Sequence, residues 1–111
     1  MASQSAPDPD LAFRALVDAN RRAILKAIRS EPCSVGFIAG EVGLSQQTTS
    51  HHLGVLRDAG LAVGTRDGTR HLFAVKTDGL AAVRSYLDDF WPAKLSALKS
   101  AVESRQGSGR G

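Results

Sequence analysis

The sequence has little that could cross-link, ligate or anchor it. Of its 111 residues one is a cysteine, Cys33, so neither an intrachain disulfide framework nor a cysteine-rich zinc site can form. Tryptophan, tyrosine and methionine occur once each and aromatics make up 5% of the chain, which leaves leucine, valine, isoleucine and alanine to build the core. No apolar run approaches the ~20 residues needed to cross a bilayer, so no membrane partner is expected. Met1 to Pro9 lacks the charged-then-apolar pattern of a secretory leader, which predicts a cytoplasmic location. Charge of one sign is scarce too. Fourteen Lys and Arg against 11 Asp and Glu give +3, a surplus that permits a nucleic-acid partner without demonstrating one. The length allows one domain, and 42% hydrophobic with 23% charged residues is the composition of an ordinary soluble globular protein.

What the chain does have is clear punctuation. Residues 1–7 read as a flexible leader of small residues, residues 8–103 as the domain, and residues 104–111, rich in Gly, Ser and Arg, as a flexible tail. Asp8 offers an N-cap and Pro9 the favoured first helical position, opening a helix that carries Leu11, Phe13, Leu16 and Val17. Asp18-Ala19-Asn20 reads as a break, with Asn20 capping a second helix. Its buried stripe would be Ala23, Ile24, Ala27 and Ile28, with Arg21, Arg22, Lys26 and Arg29 on the other sides. Glu31-Pro32 is expected to end it, because proline disfavours helical geometry in the preceding residue. Ser34 caps a third helix running to Val42, and Gly43 stands where a helix needs a left-handed terminal residue. Only Leu44 then precedes Ser45, a fresh N-cap, so two helices meet at a tight turn. That is a helix-turn-helix.

The fourth helix, Gln46 to Asp58, buries Thr49, Leu53 and Leu56 with His52 on the flank, and turns Gln46, Gln47, Ser50, His51, Gly54 and Arg57 outward. After Gly60 come two short strands, Leu61 to Arg66 and Arg70 to Val75, around Asp67-Gly68, a strong hairpin signal. Thr77 or Asp78 then caps a long last helix whose seam is Leu80, Val83, Leu87, Phe90 or Trp91, Leu95, Leu98 and Val102. Pro92 falls inside that helix and should kink or divide it. The fold class is therefore mainly α with a small β-hairpin: a winged helix-turn-helix of three helices, a recognition helix, a β-wing and a long C-terminal helix.

In such a fold the second helix of the turn motif enters the major groove of double-stranded DNA and the wing lies against the backbone or minor groove. Gln46 and Gln47 have the paired donor and acceptor that suit adenine, Ser50 and His51 reach base edges or phosphate, and Ser45 and Thr48 complete the set at the helix start. Arg57, Arg66 and Arg70 suit phosphates. A merely solvated helix face is the plainer account of these polar residues; the hairpin directly after it, with arginines flanking its tip, favours the DNA-binding one. An enzyme would need a nucleophile with a base in reach, a phosphate loop or paired carboxylates, and none stands out. A winged helix used only for protein contacts stays open, since the recognition helix has no Lys or Arg in its first two turns. So does a metal held by His51, His52 or His71, although adjacent helical residues point about 100° apart and chelate poorly. Cys33, near a helix start that could lower its pKa, is a candidate redox sensor.

The stretch Asn20-Arg-Arg-Ala-Ile-Leu, followed by Gly43-Leu-Ser-Gln-Gln-Thr-Thr-Ser-His-His-Leu-Gly-Val-Leu-Arg-Asp-Ala-Gly-Leu, resembles the ArsR/SmtB family of bacterial transcriptional repressors. The resemblance runs from about Leu11 to Val102. It implies a homodimer joined through the first and last helices, by Leu11, Phe13 and Leu16 with Leu80, Val83, Leu87, Phe90, Trp91, Leu95 and Leu98. It also implies autoregulation at an imperfect palindrome and relief by an inducer, which the residues do not identify. Ala19 stands where the family commonly has proline before the Arg-Arg pair, which should loosen the first turn of the helix. The family's Cys-x-Cys metal positions fall on Ser34 and Gly36, and the last helix has Asp88, Asp89 and Glu103 but no histidine. By that comparison no metal or other cofactor is expected. The run Tyr86-Leu-Asp-Asp-Phe-Trp-Pro-Ala-Lys-Leu is similar to a subgroup with no known metal site.

Overall fold

The computed structural model describes residues 9–91 and residue 102. Five helices and three strands follow in the order α1 (Pro9–Val17), α2 (Ala19–Ala27), β1 (Cys33–Ser34), α3 (Val35–Val42), α4 (Gln46–Asp58), β2 (Ala62–Asp67), β3 (Arg70–Val75) and α5 (Asp78–Asp88). It is a winged helix-turn-helix, as the sequence predicted.

Local chemistry explains most boundaries. The break between α1 and α2 is one residue wide, and its cap is Asp18, not Asn20. The Asp18 carboxylate accepts from the backbone N–H of Asn20 at 2.8 Å and of Arg21 at 3.2 Å, the geometry expected of a side chain one residue before the helix. Helix α2 stops at Ala27, earlier than Pro32 required. The Ile28 N–H is shared between the carbonyls of Ile24 and Leu25, and Arg29 N–H returns to Lys26, so the last turn tightens and closes. The buried residues of α2 are Ile24, Leu25 and Ile28, whereas Ala23 and Ala27 are half-buried.

The chain freed by that early stop makes a strand that periodicity did not reveal. Cys33 pairs with Phe73 and Ser34 with Leu72, giving an antiparallel sheet of order β1-β3-β2 rather than a bare hairpin. The hairpin turn also lies one residue later than Asp-Gly. Asp67 pairs with Arg70, so Gly68 and Thr69 form the loop, with Gly68 at φ 68°. A positive φ confined to the first loop residue matches the glycine-first hairpin turn.

Ile24, Ile28, Ile38, Leu53, Leu56 and Leu61 are each at most 1% exposed and form the centre of the core between α2, α3, α4 and the start of the sheet. Burial of each stabilises the fold by roughly 1.5–3 kcal/mol. Helix α5 is seated by backbone: Gly79 N–H donates to the Gly60 carbonyl at 2.8 Å. It ends at Asp88, and Asp89, Phe90 and Trp91 donate back to Tyr86, Leu87 and Asp88 in tightened turns. Helix α5 thus closes ahead of Pro92, where a kink or division is expected, and Pro92 itself lies outside the described residues. Leu95, Leu98 and the expected leader and tail lie outside the described residues.

Candidate nucleic-acid interface

The turn motif is built by three caps in succession. Ser34 Oγ accepts from Phe37 N–H at 3.2 Å and starts α3. Gly43, at φ 74°, ends it, its N–H and that of Leu44 both donating to the Ala39 carbonyl at 2.9 and 3.0 Å. Ser45 Oγ then accepts from Thr48 N–H at 3.0 Å and starts α4. Three residues, Gly43 to Ser45, separate α3 from α4, and the two helices pack against each other.

Helix α4 has two faces. Thr49, His52, Leu53 and Leu56 are buried; the Thr49 hydroxyl donates to the Ser45 carbonyl at 2.8 Å, so its polar atom enters the core satisfied. Opposite them Gln46, Gln47, Thr48, Ser50, His51 and Arg57 are exposed, as is Ser45 before the helix. Two of these hydroxyls are partly engaged, since Ser45 Oγ also donates to Thr48 Oγ1 at 3.0 Å. Gln46 lies against α3, its amide nitrogen 3.3 Å from where a side chain on Gly36 would begin. Arg57 forms an exposed ion pair with Asp58 at 3.4 Å, of the kind contributing about 0–1 kcal/mol and readily exchanged for phosphate. Arg66 and Arg70 sit on either side of the wing tip, both exposed, and among the described residues neither enters an ion pair. Every sequence-predicted contact residue is on the surface.

The rings of His51 and His52 lie 5.9 Å apart, and His71 is on the wing. His51 faces solvent on α4. His52 is 8% exposed and accepts at Nδ1 from Arg21 at 3.2 Å, since a guanidinium has only donors. His71 lies over Gly64 of the wing with its ring centroid 4.6 Å from that of Phe73. Among the described residues no three His, Cys, Asp or Glu groups gather as a metal site. Cys33 is buried, with its thiol toward the carbonyls of Glu31 at 3.3 Å and Ala27 at 3.7 Å. Burial, with the Glu31 and Glu41 carboxylates adding to it, pushes the thiol pKa up rather than down.

A second surface runs along α5 and α1. Leu11, Leu80 and Leu87 are exposed, and past the end of α5 Phe90 and Trp91 are 60% and 59% exposed. Leu16 and Val83 are half-buried against the core, and Phe13 meets Tyr86 edge to face at 5.3 Å. Tyr86 in turn meets Phe90 at 5.2 Å, an aromatic bridge that the seam spacing passed over. Leu80, Val83, Leu87 and Trp91, together with Arg84 and Asp88, line an open groove of about 390 Å³.

Residues 18–62, which hold the whole turn motif and its caps, match the family described as bacterial regulatory protein, arsR family. The HTH-type transcriptional regulator Rv2034 of Mycobacterium tuberculosis is 38% identical over 96 residues, covering 86% of this chain and 90% of that protein. The chain belongs to the arsR family. Its fold agrees with solved members and relatives. One, described as a possible transcriptional regulator for arsenical resistance, is 28% identical with a TM-score of 0.65, over 81% of this chain and 94% of that one. Another is the homodimeric winged helix-turn-helix DNA-binding domain of Mb0332 from Mycobacterium bovis, 25% identical with a TM-score of 0.61, over 73% of this chain and 75% of that one. As an arsR-family member the chain is a helix-turn-helix transcriptional regulator. No helix of the described residues is long and apolar enough to cross a membrane.

Proposed function

We infer that this regulator is a cytoplasmic homodimeric repressor that binds a palindromic operator near its own gene without a metal cofactor. The observation that supports the reading best is the exposed polar face of α4 followed in the chain by a wing with an exposed arginine on each side of its tip. Gln46, Gln47, Ser50 and His51 would read base edges, Ser45 and Thr48 would meet the backbone at the helix start, and Arg57, Arg66 and Arg70 would hold phosphates. The apolar groove along α5, with Leu11 and Phe13 of α1 nearby in the chain's other seam, suits a second copy, because a monomer rarely leaves such a patch open. The Mycobacterium bovis neighbour is a homodimer, which fits. Two-fold symmetry would then set two α4 helices on half-sites roughly 34–36 Å apart.

Metal independence rests on the residues themselves. Ser34 and Gly36 occupy the expected cysteine positions, the lone thiol is buried, and His52 has its Nδ1 engaged by Arg21. Selection from random duplex DNA tests the reading, with the affinity of the selected site followed against salt and added zinc. A two-fold symmetric site with a steep salt slope and no zinc response is expected. A folded, dimeric protein that enriches no sequence would overturn it in favour of a protein-contact module.

A further inference from the structure

Arg21 and Arg22 of α2 turn back onto α1. Arg21 Nε donates to the Ala15 carbonyl at 2.8 Å and one terminal nitrogen to that of Arg14 at 3.2 Å. Arg22 donates to the carbonyls of Leu16 at 2.8 Å and Val17 at 3.0 Å. Between them the two side chains reach every carbonyl of the last turn of α1, the groups a helix leaves without donors of its own. The Arg21 side chain is 16% exposed and its guanidinium also lies 3.9 Å from the Asp18 carboxylate that caps α2. The same terminal nitrogen that lies near Asp18 donates to His52 Nδ1 on α4 at 3.2 Å.

The position of His52 gives this contact its consequence. It follows Ser50 and His51, two of the outward residues, and it lies on the buried side of α4 with Thr49, Leu53 and Leu56. The apolar neighbours decide which side of α4 faces inward, but apolar burial is non-directional and sets no bond angle. A hydrogen bond to one ring nitrogen does, because it weakens steeply away from linearity. We propose that Arg21 is a positioning residue for DNA recognition, fixing the rotation of α4 through His52 and so tying the outward face of the recognition helix to the α1–α2 corner. The mechanism rests on the DNA-binding reading above, while the helix orientation it predicts exists with or without DNA.

The test uses the full chain with Arg21→Gln, His52→Ala and His52→Asn, the last keeping an acceptor near the place of Nδ1. Residual dipolar couplings on DNA-free protein report the orientation of α4 relative to α2. Arg21→Gln and His52→Ala are expected to rotate α4, and His52→Asn to leave it in place. On the selected duplex, the first two variants should lose about tenfold in the ratio of specific to non-specific affinity, the order expected when one base contact is misaligned. Non-specific affinity and salt slope should not change, and the double variant should lose no more than either single one. Lower melting temperatures with unchanged couplings would overturn the proposal, as would additive losses or an unchanged specificity ratio. If the wild-type protein selects no site, the DNA reading fails, and the couplings still decide whether Arg21 sets the orientation of α4.

Discussion

Replacing Gly79 by alanine probes how α5 is seated, and the structure gives opposite signs to propensity and packing. In an open helix alanine is favoured over glycine by up to about 1 kcal/mol. At Gly79 the new Cβ would stand 2.5 Å from the Ala59 carbonyl oxygen and 3.0 Å from both the Gly60 oxygen and a Leu61 methyl. Two of those atoms are backbone and cannot swing away. Ordinary carbon–oxygen approach begins near 3.3 Å, so α5 must retreat by about 1 Å. That retreat weakens the 2.8 Å bond from Gly79 N–H to Gly60 and opens the packing beneath α5. Overpacking of this kind costs about 1–3 kcal/mol, more than propensity returns. The melting temperature of Gly79→Ala should fall by on the order of 10 °C, read by circular dichroism at fixed protein concentration. Gly40→Ala, within α3 and with nothing within 4 Å of the new carbon, should instead raise stability by about 0.5–1 kcal/mol. A Gly79→Ala variant as stable as the wild type would refute the reasoning.

Four further outcomes follow from the same geometry. Ala19→Pro should raise the urea midpoint, by about 0.4–1 kcal/mol of stability, because Ala19 is the first residue of α2 and Asp18 before it is already extended, at φ −82° and ψ 125°. Asp18→Ala should lower that midpoint at neutral pH, and the difference should close in acid. The Arg21 N–H, with help from the Asn20 N–H and the nearby Arg21 charge, holds the Asp18 carboxyl below its ordinary 3.8, so its contribution is present above that value and is lost as pH falls through the lower one. Arg70→Ala should weaken binding to all duplexes alike and reduce the salt slope by about one phosphate contact, whereas Gln47→Ala should relax sequence preference; equal salt slopes by fluorescence anisotropy would take the wing out of the interface. Leu87→Glu should give monomers by sedimentation that no longer hold a palindrome, and a dimer of unchanged affinity would remove α5 from the seam.

Elements fixed by neighbours in sequence were legible in it. The Ser34, Gly43 and Ser45 punctuation, the bounds of α3 and α4, the outward side of α4 and the existence of the wing depend on caps, turns and periodicity, which act over a few residues. The candidate interface was readable for the same reason, since all but the wing arginines lies in or beside one helix. Other features depended on partners distant in the chain. The strand at Cys33–Ser34 is too short to carry a period and exists because β3 offers it an edge. Arg21 looked like one surface charge among several, yet the α1 carbonyls and His52, 31 residues away, draw it inward. Gly79 stands at a helix start with no local mark of its role, which comes from Ala59 and Gly60 packed against it. The sequence by itself determined the order of elements and the chemistry of the exposed face, because local hydrogen bonding and side-chain period are written in adjacent residues. Tertiary structure alone decided which arginine turns inward, which glycine is closely packed and which distant side chain meets α4, because directional bonds and close contacts between distant segments have no local signature.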